Sequence, residues 1–290
     1  IAQASDSARA SSGLDGSGIT VGVLSDSYNC LGGAVIDVAS GDLPPGVNVL
    51  QEYESCSIGT DEGRAMMQII HDVAPGAELA FHTAFNGIAD FANGIIELAV
   101  IGGAEVITDD VIYLAEPMFQ DGEVAQAVDR VNAMGVAYYS SAGNQGRQSY
   151  ESDFTNSGIT GYRSGYLRHE FDMSAGVDTL QAVTIPAGTQ VIFVLQWQDP
   201  AYSASGAPGA ATDLDIFLYN EAGSTALAGG TANNIGGDPV EVIAFVNTSS
   251  SNQTYQVSIE HFNGPIPQKI KYVYYGNMNI EEYNTNSSTL

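Results

Sequence analysis

Five polar residues in the first half of this sequence have side chains suited to acid–base chemistry and a spacing that could bring them together. They are Asp26 in GVLSDS, Glu62 in DEGRAMMQIIHDV, Asp109 and Asp110 in EVITDD, and Asn144 in AYYSSAGN. A carboxylate with a suitable pKa can take a proton from a nucleophile, and a side-chain amide can steady the oxyanion formed by the attack. Singly each is weak, because acids cap helix N-termini and asparagine favours turns for purely structural reasons. Their joint placement gives them weight.

The elements that must position them alternate in type. Up to about residue 150, β-branched runs (ITVGVLSD, AELAFHTAF, EVITDDVIY, VAYYSSAGN) alternate with helical patterns such as ADFANGIIELAVIGG and DGEVAQAVDRVNAMG. This predicts a doubly wound, mostly parallel α/β sheet over residues 1–150. Open parallel sheets gather chemistry at the carboxyl ends of their strands, and all five residues are predicted at that rim. Within the helix after Asp61, Glu62 lines up with Met66, Ile69 and Val73 on one stripe, at about 100° per residue. An acid on a core-facing stripe is costly unless paired or used, so the pattern predicts an inward Glu62. His82 is expected just after a strand, near the rim, as a substrate-pocket residue.

From residue 151 the pattern changes. Runs such as DTLQAVTIP, QVIFVLQWQD, TDLDIFLYN, VEVIAFVN and TYQVSIEHF are separated by Gly, Ser, Asn and Pro without a helical period. They predict an antiparallel β-sandwich over 151–275, with 276–290 as a return segment toward the first domain. Asp213 and Asp215 share one face of their strand. They are candidates for calcium, the alternative being a solvated strand edge.

Composition narrows the function classes. With 290 residues, 44% of them apolar, the chain can bury a sizeable core. Its 34 acidic residues against 8 basic ones give a formal charge of −26, which disfavours nucleic acid and anionic membrane as partners. Such a surface suits a salty or acidic medium, and calcium is the sharper reading; no cofactor is required. Cys30 and Cys56 form one disulfide or remain two thiols; a disulfide implies an oxidising, extracellular setting. No stretch is apolar and long enough to cross a bilayer as a helix. The start at Ile1 without a leader reads as a mature or trimmed chain.

Residues Gly13 to Gly146 resemble a known family. GSGITVGVLSDS is similar to the first strand and catalytic aspartate of subtilisin-like serine peptidases, and GVAYYSSAGNQG to their oxyanion segment. DEGRAMMQIIHDVAPGAEL resembles the matching segment of the sedolisins, in which a glutamate replaces histidine as general base, 13 residues before the proline of A-P-G-A; here Pro75 points to Glu62. The resemblance implies Glu62 as base and Asn144 in the oxyanion hole. It also implies Asp110, Val111 and Ile112 as the strand end that holds the substrate backbone. The sedolisin pattern has an aspartate four residues after the base, where this chain has Met66, so Asp26 becomes the expected partner of Glu62.

The family's G-T-S-x-A stretch is absent from these 290 residues. GSTALAGG around Ser224 is the nearest string and falls among the sandwich strands. The resemblance therefore implies part of a secreted serine endopeptidase acting on polypeptides, completed by a chain or segment that carries the serine. The alternatives are an inactive peptide-binding relative and a surface or adhesive protein working through its sandwich.

Overall fold

A computed structural model describes residues 4–174 and 176–289. It divides into two units, Ile1–Tyr113 with Glu123–Gly143, and Leu114–Gly122 with Asn144–Leu290. The order is an α/β domain followed by a β-sandwich, as the change of pattern predicts.

In the first unit, helix α1 (Ser5–Ser12) precedes five strands and four helices: β1 (Thr20–Ser25), α2 (Ala34–Ser40), β2 (Asn48–Gln51), α3 (Glu62–Val73), β3 (Glu78–Thr83), α4 (Ile88–Val100), β4 (Val106–Asp109), α5 (Glu123–Ala133) and β5 (Ala137–Ser140). The strands lie parallel in the order β2-β3-β1-β4-β5. Parallel strands need crossover helices, and those helices cover both faces of the sheet. Val23, Leu79 and Phe81 accordingly pack with Met67 of α3, while Leu24, Ala80 and Ile107 pack with α4 and α5 through Ile95, Leu98 and Val131. Neighbours in sequence, such as Phe81 and Ala80, face opposite ways because strand side chains alternate. Such a sheet leaves one functional edge, the rim at its carboxyl ends.

The second unit contains β6 (Ser149–Asp153), β7 (Asn156–Thr160), β8 (Leu167–His169), β9 (Gln181–Ile185), β10 (Gln190–Trp197), the short helix α6 (Tyr202–Ser205), β11 (Asp213–Asn220), β12 (Ala226–Gly230), β13 (Val240–Val246), β14 (Gln253–Asn263), β15 (Lys269–Tyr275) and β16 (Asn279–Ile280). One sheet runs β13-β10-β15-β6 and the other β12-β11-β14-β8-β7, with β9 pairing β14 and β16. Phe193, Leu195 and Trp197 of β10 meet Leu214, Ile216 and Leu218 of β11 in the core between them. Inward residues recur at every second position in each strand.

Two segments fall elsewhere than predicted. Leu114–Gly122, between β4 and α5, belongs to the second unit. Gln196 holds it there, accepting from Met118 N–H at 2.8 Å and donating to the Glu116 carbonyl at 2.9 Å. Of the segment 276–290, predicted to return toward the first domain, residues 276–289 are tied into the sandwich unit instead. Within it β16 pairs with β9, Glu282 accepts from Ala182 N–H at 2.9 Å, and Arg147 donates to the Asn286 carbonyl at 2.6 Å.

Candidate active site

Asp26 follows the last residue of β1 and is 4% exposed. Its Oδ1 accepts the Glu62 N–H at 2.9 Å. Its Oδ2 accepts the Thr60 N–H, the Thr60 hydroxyl at 2.8 Å and the Ser27 hydroxyl at 3.0 Å. No side chain within α3 caps its N-terminus, so Asp26 does this from across the sheet rim. The helix dipole and the charge-assisted bonds both favour a carboxylate there. Burial pushes the Asp26 pKa up, but the hydrogen bonds from Thr60 and Ser27 outweigh it and hold the carboxyl below its ordinary value.

Glu62 is exposed, contrary to the inward orientation predicted. The face of α3 that meets the sheet is Gly63, Met67 and Ile70, while Ile69 is 61% exposed. Gly63 sets this phase, because a Cβ at that position would lie 2.3 Å from the Phe81 ring and 2.9 Å from the Ser27 carbonyl. The Glu62 carboxylate is held at the rim by the Ser25 hydroxyl, 3.3 Å from its Oε2. The structure therefore joins Asp26 and Glu62, and the bond it shows between them runs through the backbone of Glu62.

Three neighbours that the sequence reading passed over complete this corner. Asp61 adopts a left-handed φ of 58°, a conformation that Asp tolerates better than most residues. Its buried carboxylate pairs with Arg64 and accepts from Leu31 N–H at 3.1 Å; Arg64 also binds Asp37 at 2.8 Å. Ser27 bridges Asp26 and Asp61, its one hydroxyl proton shared between Asp26 Oδ2 and Asp61 Oδ1, 3.2 Å away, while its oxygen accepts from Asp61 N–H at 2.8 Å. Thr60 gives Asp26 two donors. The only sequence signal for these roles is position, immediately before a helix and immediately after a strand.

Asp109 ends β4 beside β1, where Leu24 pairs with it. It is buried and accepts from the Ser140 hydroxyl at 2.9 Å and Val111 N–H at 3.3 Å. Burial raises its pKa, and bonds from Tyr138, Ser140 and Val111 offset only part of that rise. Asp110 and Ile112 are exposed and Val111 is half-buried. His82 lies within β3, not after it, and is 1% exposed. Its Nδ1 is 2.6 Å from the Thr83 carbonyl and its Nε2 3.6 Å from Glu97. Gly94 of α4 makes room for the ring, so His82 packs under a helix, away from solvent.

Asn144 is exposed and is the first residue of the second unit's main segment, whereas Asp26, Glu62 and Asp109 belong to the first. Cys30 and Cys56 form a disulfide, closing the loops on either side of the Asp26 corner. Asp213 and Asp215 are buried, not on a solvated edge, because β11 lies between β12 and β14. Among the described residues no three His, Cys, Asp or Glu side chains form a group arranged to hold a metal ion. No described helix is long and apolar enough to cross a membrane.

No family model matches the chain, and no curated protein matches it. Among solved structures it is similar to the CspB protease of Clostridium perfringens, with a TM-score of 0.43 and 9% identity, over 92% of this chain and 64% of that one. A structure described as CBM4 aligns with 45% of this chain and 78% of its own, at a TM-score of 0.23 and 16% identity. The chain thus spans less than two thirds of the protease chain. The likeness is distant and concerns the fold alone.

Proposed function

We propose that this chain is part of a secreted serine endopeptidase that cleaves peptide bonds by acyl transfer, with a serine supplied by a segment or partner chain carrying G-T-S-x-A. The observation behind this reading is the Asp26 corner. Asp26 pins the first turn of α3 to the end of β1, and this holds the Glu62 carboxylate at the open rim beside Ser25. In that arrangement the serine hydroxyl attacks the substrate carbonyl carbon while its proton passes to Glu62. Glu62 then protonates the leaving amine, and water hydrolyses the acyl-enzyme by the reverse proton path. Asn144 would donate to the oxyanion, a contribution of roughly 3–4 kcal/mol to the barrier. Asp110, Val111 and Ile112 would hold the substrate backbone.

One observation favours a second reading, a peptide-binding relative without catalysis. Both oxygens of Asp26 are occupied by donors from the chain itself, which suits a structural cap as well as a catalytic partner. Peptide mapping of the native material, followed by Glu62→Gln in the complete assembly, separates the two. The enzyme reading expects a G-T-S-x-A peptide and loss of acylation with peptide binding retained. Full activity in the variant removes Glu62 from the mechanism, and absence of any such serine favours the binding protein.

A further inference from the structure

On β11, Asp213 and Asp215 share the face opposite Leu214, Ile216 and Leu218, the residues that enter the core. Glu260, which pairs with Asp215 across the register, has a full set of donors. Arg168 Nε lies at 3.2 Å, the Tyr219 and Ser258 hydroxyls at 3.0 Å, and Tyr162 N–H at 2.5 Å. Asp213 and Asp215 are served differently. Asp213 Oδ1 receives one long bond, 3.4 Å, from Asn234 N–H. Asp215 takes the Tyr166 hydroxyl, but its Oδ2 is sealed from solvent and has no donor.

Asn234 has the same defect. Gly230 pairs with Ile216, and the chain beyond it continues alongside β11, so that the Asn234 N–H reaches Asp213. The Asn234 side-chain nitrogen donates to the Asp238 and Val240 carbonyls, both at 2.9 Å. Its side-chain oxygen is left buried and without a donor, in a residue only 6% exposed. Two carboxylates and an amide oxygen thus present acceptors with too few donors to meet them. Buried polar groups are normally satisfied, and an uncompensated buried carboxylate is costly. A set of oxygen acceptors of this kind matches the ligand preference of a hard cation, and two carboxylates balance one divalent charge.

We propose that Asp213, Asp215 and Asn234 form a calcium site in the sandwich, with backbone carbonyls and water completing the coordination. Glu241, buried on β13, adds negative charge felt by both aspartates and strengthens the attraction. The site is independent of the peptidase reading. Its test uses the full chain at about pH 8 after treatment with EDTA. Calcium at ~1 mM should raise the sandwich's unfolding temperature by about 5 °C, and native mass spectrometry should show one ion retained per chain. Asp215→Asn should abolish both effects. Asn234→Ala, which removes one neutral ligand, should weaken binding at least tenfold. Asp6→Asn, an exposed acid on α1, should change neither. An unfolding temperature indifferent to calcium overturns the proposal, as does a response that survives unchanged in both site variants, which would assign the ion to general surface acidity.

Discussion

Asp26 and Asp215 are the same residue type at nearly the same depth, 4% and 2% exposed, yet their environments move their pKa values in opposite directions. Burial raises both. At Asp26 the donors from Thr60 and Ser27 reverse the effect and lower the pKa. At Asp215 the Tyr166 hydroxyl is a weaker counterweight, the charges of Asp213 and Glu260 add to burial, and the pKa rises to about 7. At comparable solvent exposure, the donors at one site and the like charges at the other set the sign. An acid that ends a strand against a helix N-terminus gains backbone N–H groups, whereas one in mid-sheet finds them already committed to the ladder.

The largest test of this contrast is Asp26→Ala. It should cost the first unit about 3 kcal/mol, since it removes a charge-assisted cap and strips donors of their acceptor; urea unfolding followed by probes in each unit should find the sandwich unaffected. Reducing Cys30–Cys56, which closes the same corner, should cost the first unit about 3 kcal/mol by releasing loop entropy in the unfolded chain. Gly63→Ala should cost about 2 kcal/mol, because the new methyl must displace Phe81 or the Ser27 carbonyl. A neutral outcome there would mean that α3 shifts easily and that Asp26 does not fix it.

A further expected effect concerns pH. Burial pushes Glu241 up to about 8, opposed by one bond from Ala232 and reinforced by Asp215 and Asp213. In the unfolded chain Glu241 and Asp215 ionise near their ordinary values, about 4. Between there and their raised values, about 7 and 8, the folded state binds the extra protons, so stability falls as pH rises and is greatest in acid. In metal-free buffer the sandwich should lose stability steadily between pH 5 and pH 9. Glu241→Gln should flatten the profile. Asp26 has the opposite sign, and its contribution should disappear only as pH falls through its lowered pKa.

Much of this arrangement was legible in the sequence. The β-branched runs and their spacing gave the parallel sheet, and Asp26 at the end of GVLSDS gave the rim. The phase of α3 was not legible, because MMQII offers two adjacent apolar stripes. The choice between them rests on Gly63, a residue that a hydrophobic count ignores but that Phe81 and Ser27 require to be small. His82 was misplaced because polar residues near a strand's end look like loop until the covering helix is known. Asp213 and Asp215 alternate with Leu214 and Ile216 as solvent-facing residues would. Their burial depends on the connector between β7 and β8, where Tyr162 stacks on Phe217 at 4.9 Å and Tyr166 on Phe262 at 4.6 Å. Contacts so distant in sequence leave no periodic trace.

The most direct check is a carbon-detected NMR titration of the aspartate carboxyls in the intact, metal-free chain. Asp26 should titrate below the ordinary aspartate range and Asp215 near neutral pH, with Asp215 moving sharply down when calcium is added. Equal midpoints for the two, or a raised Asp26 and an ordinary Asp215, would contradict that contrast.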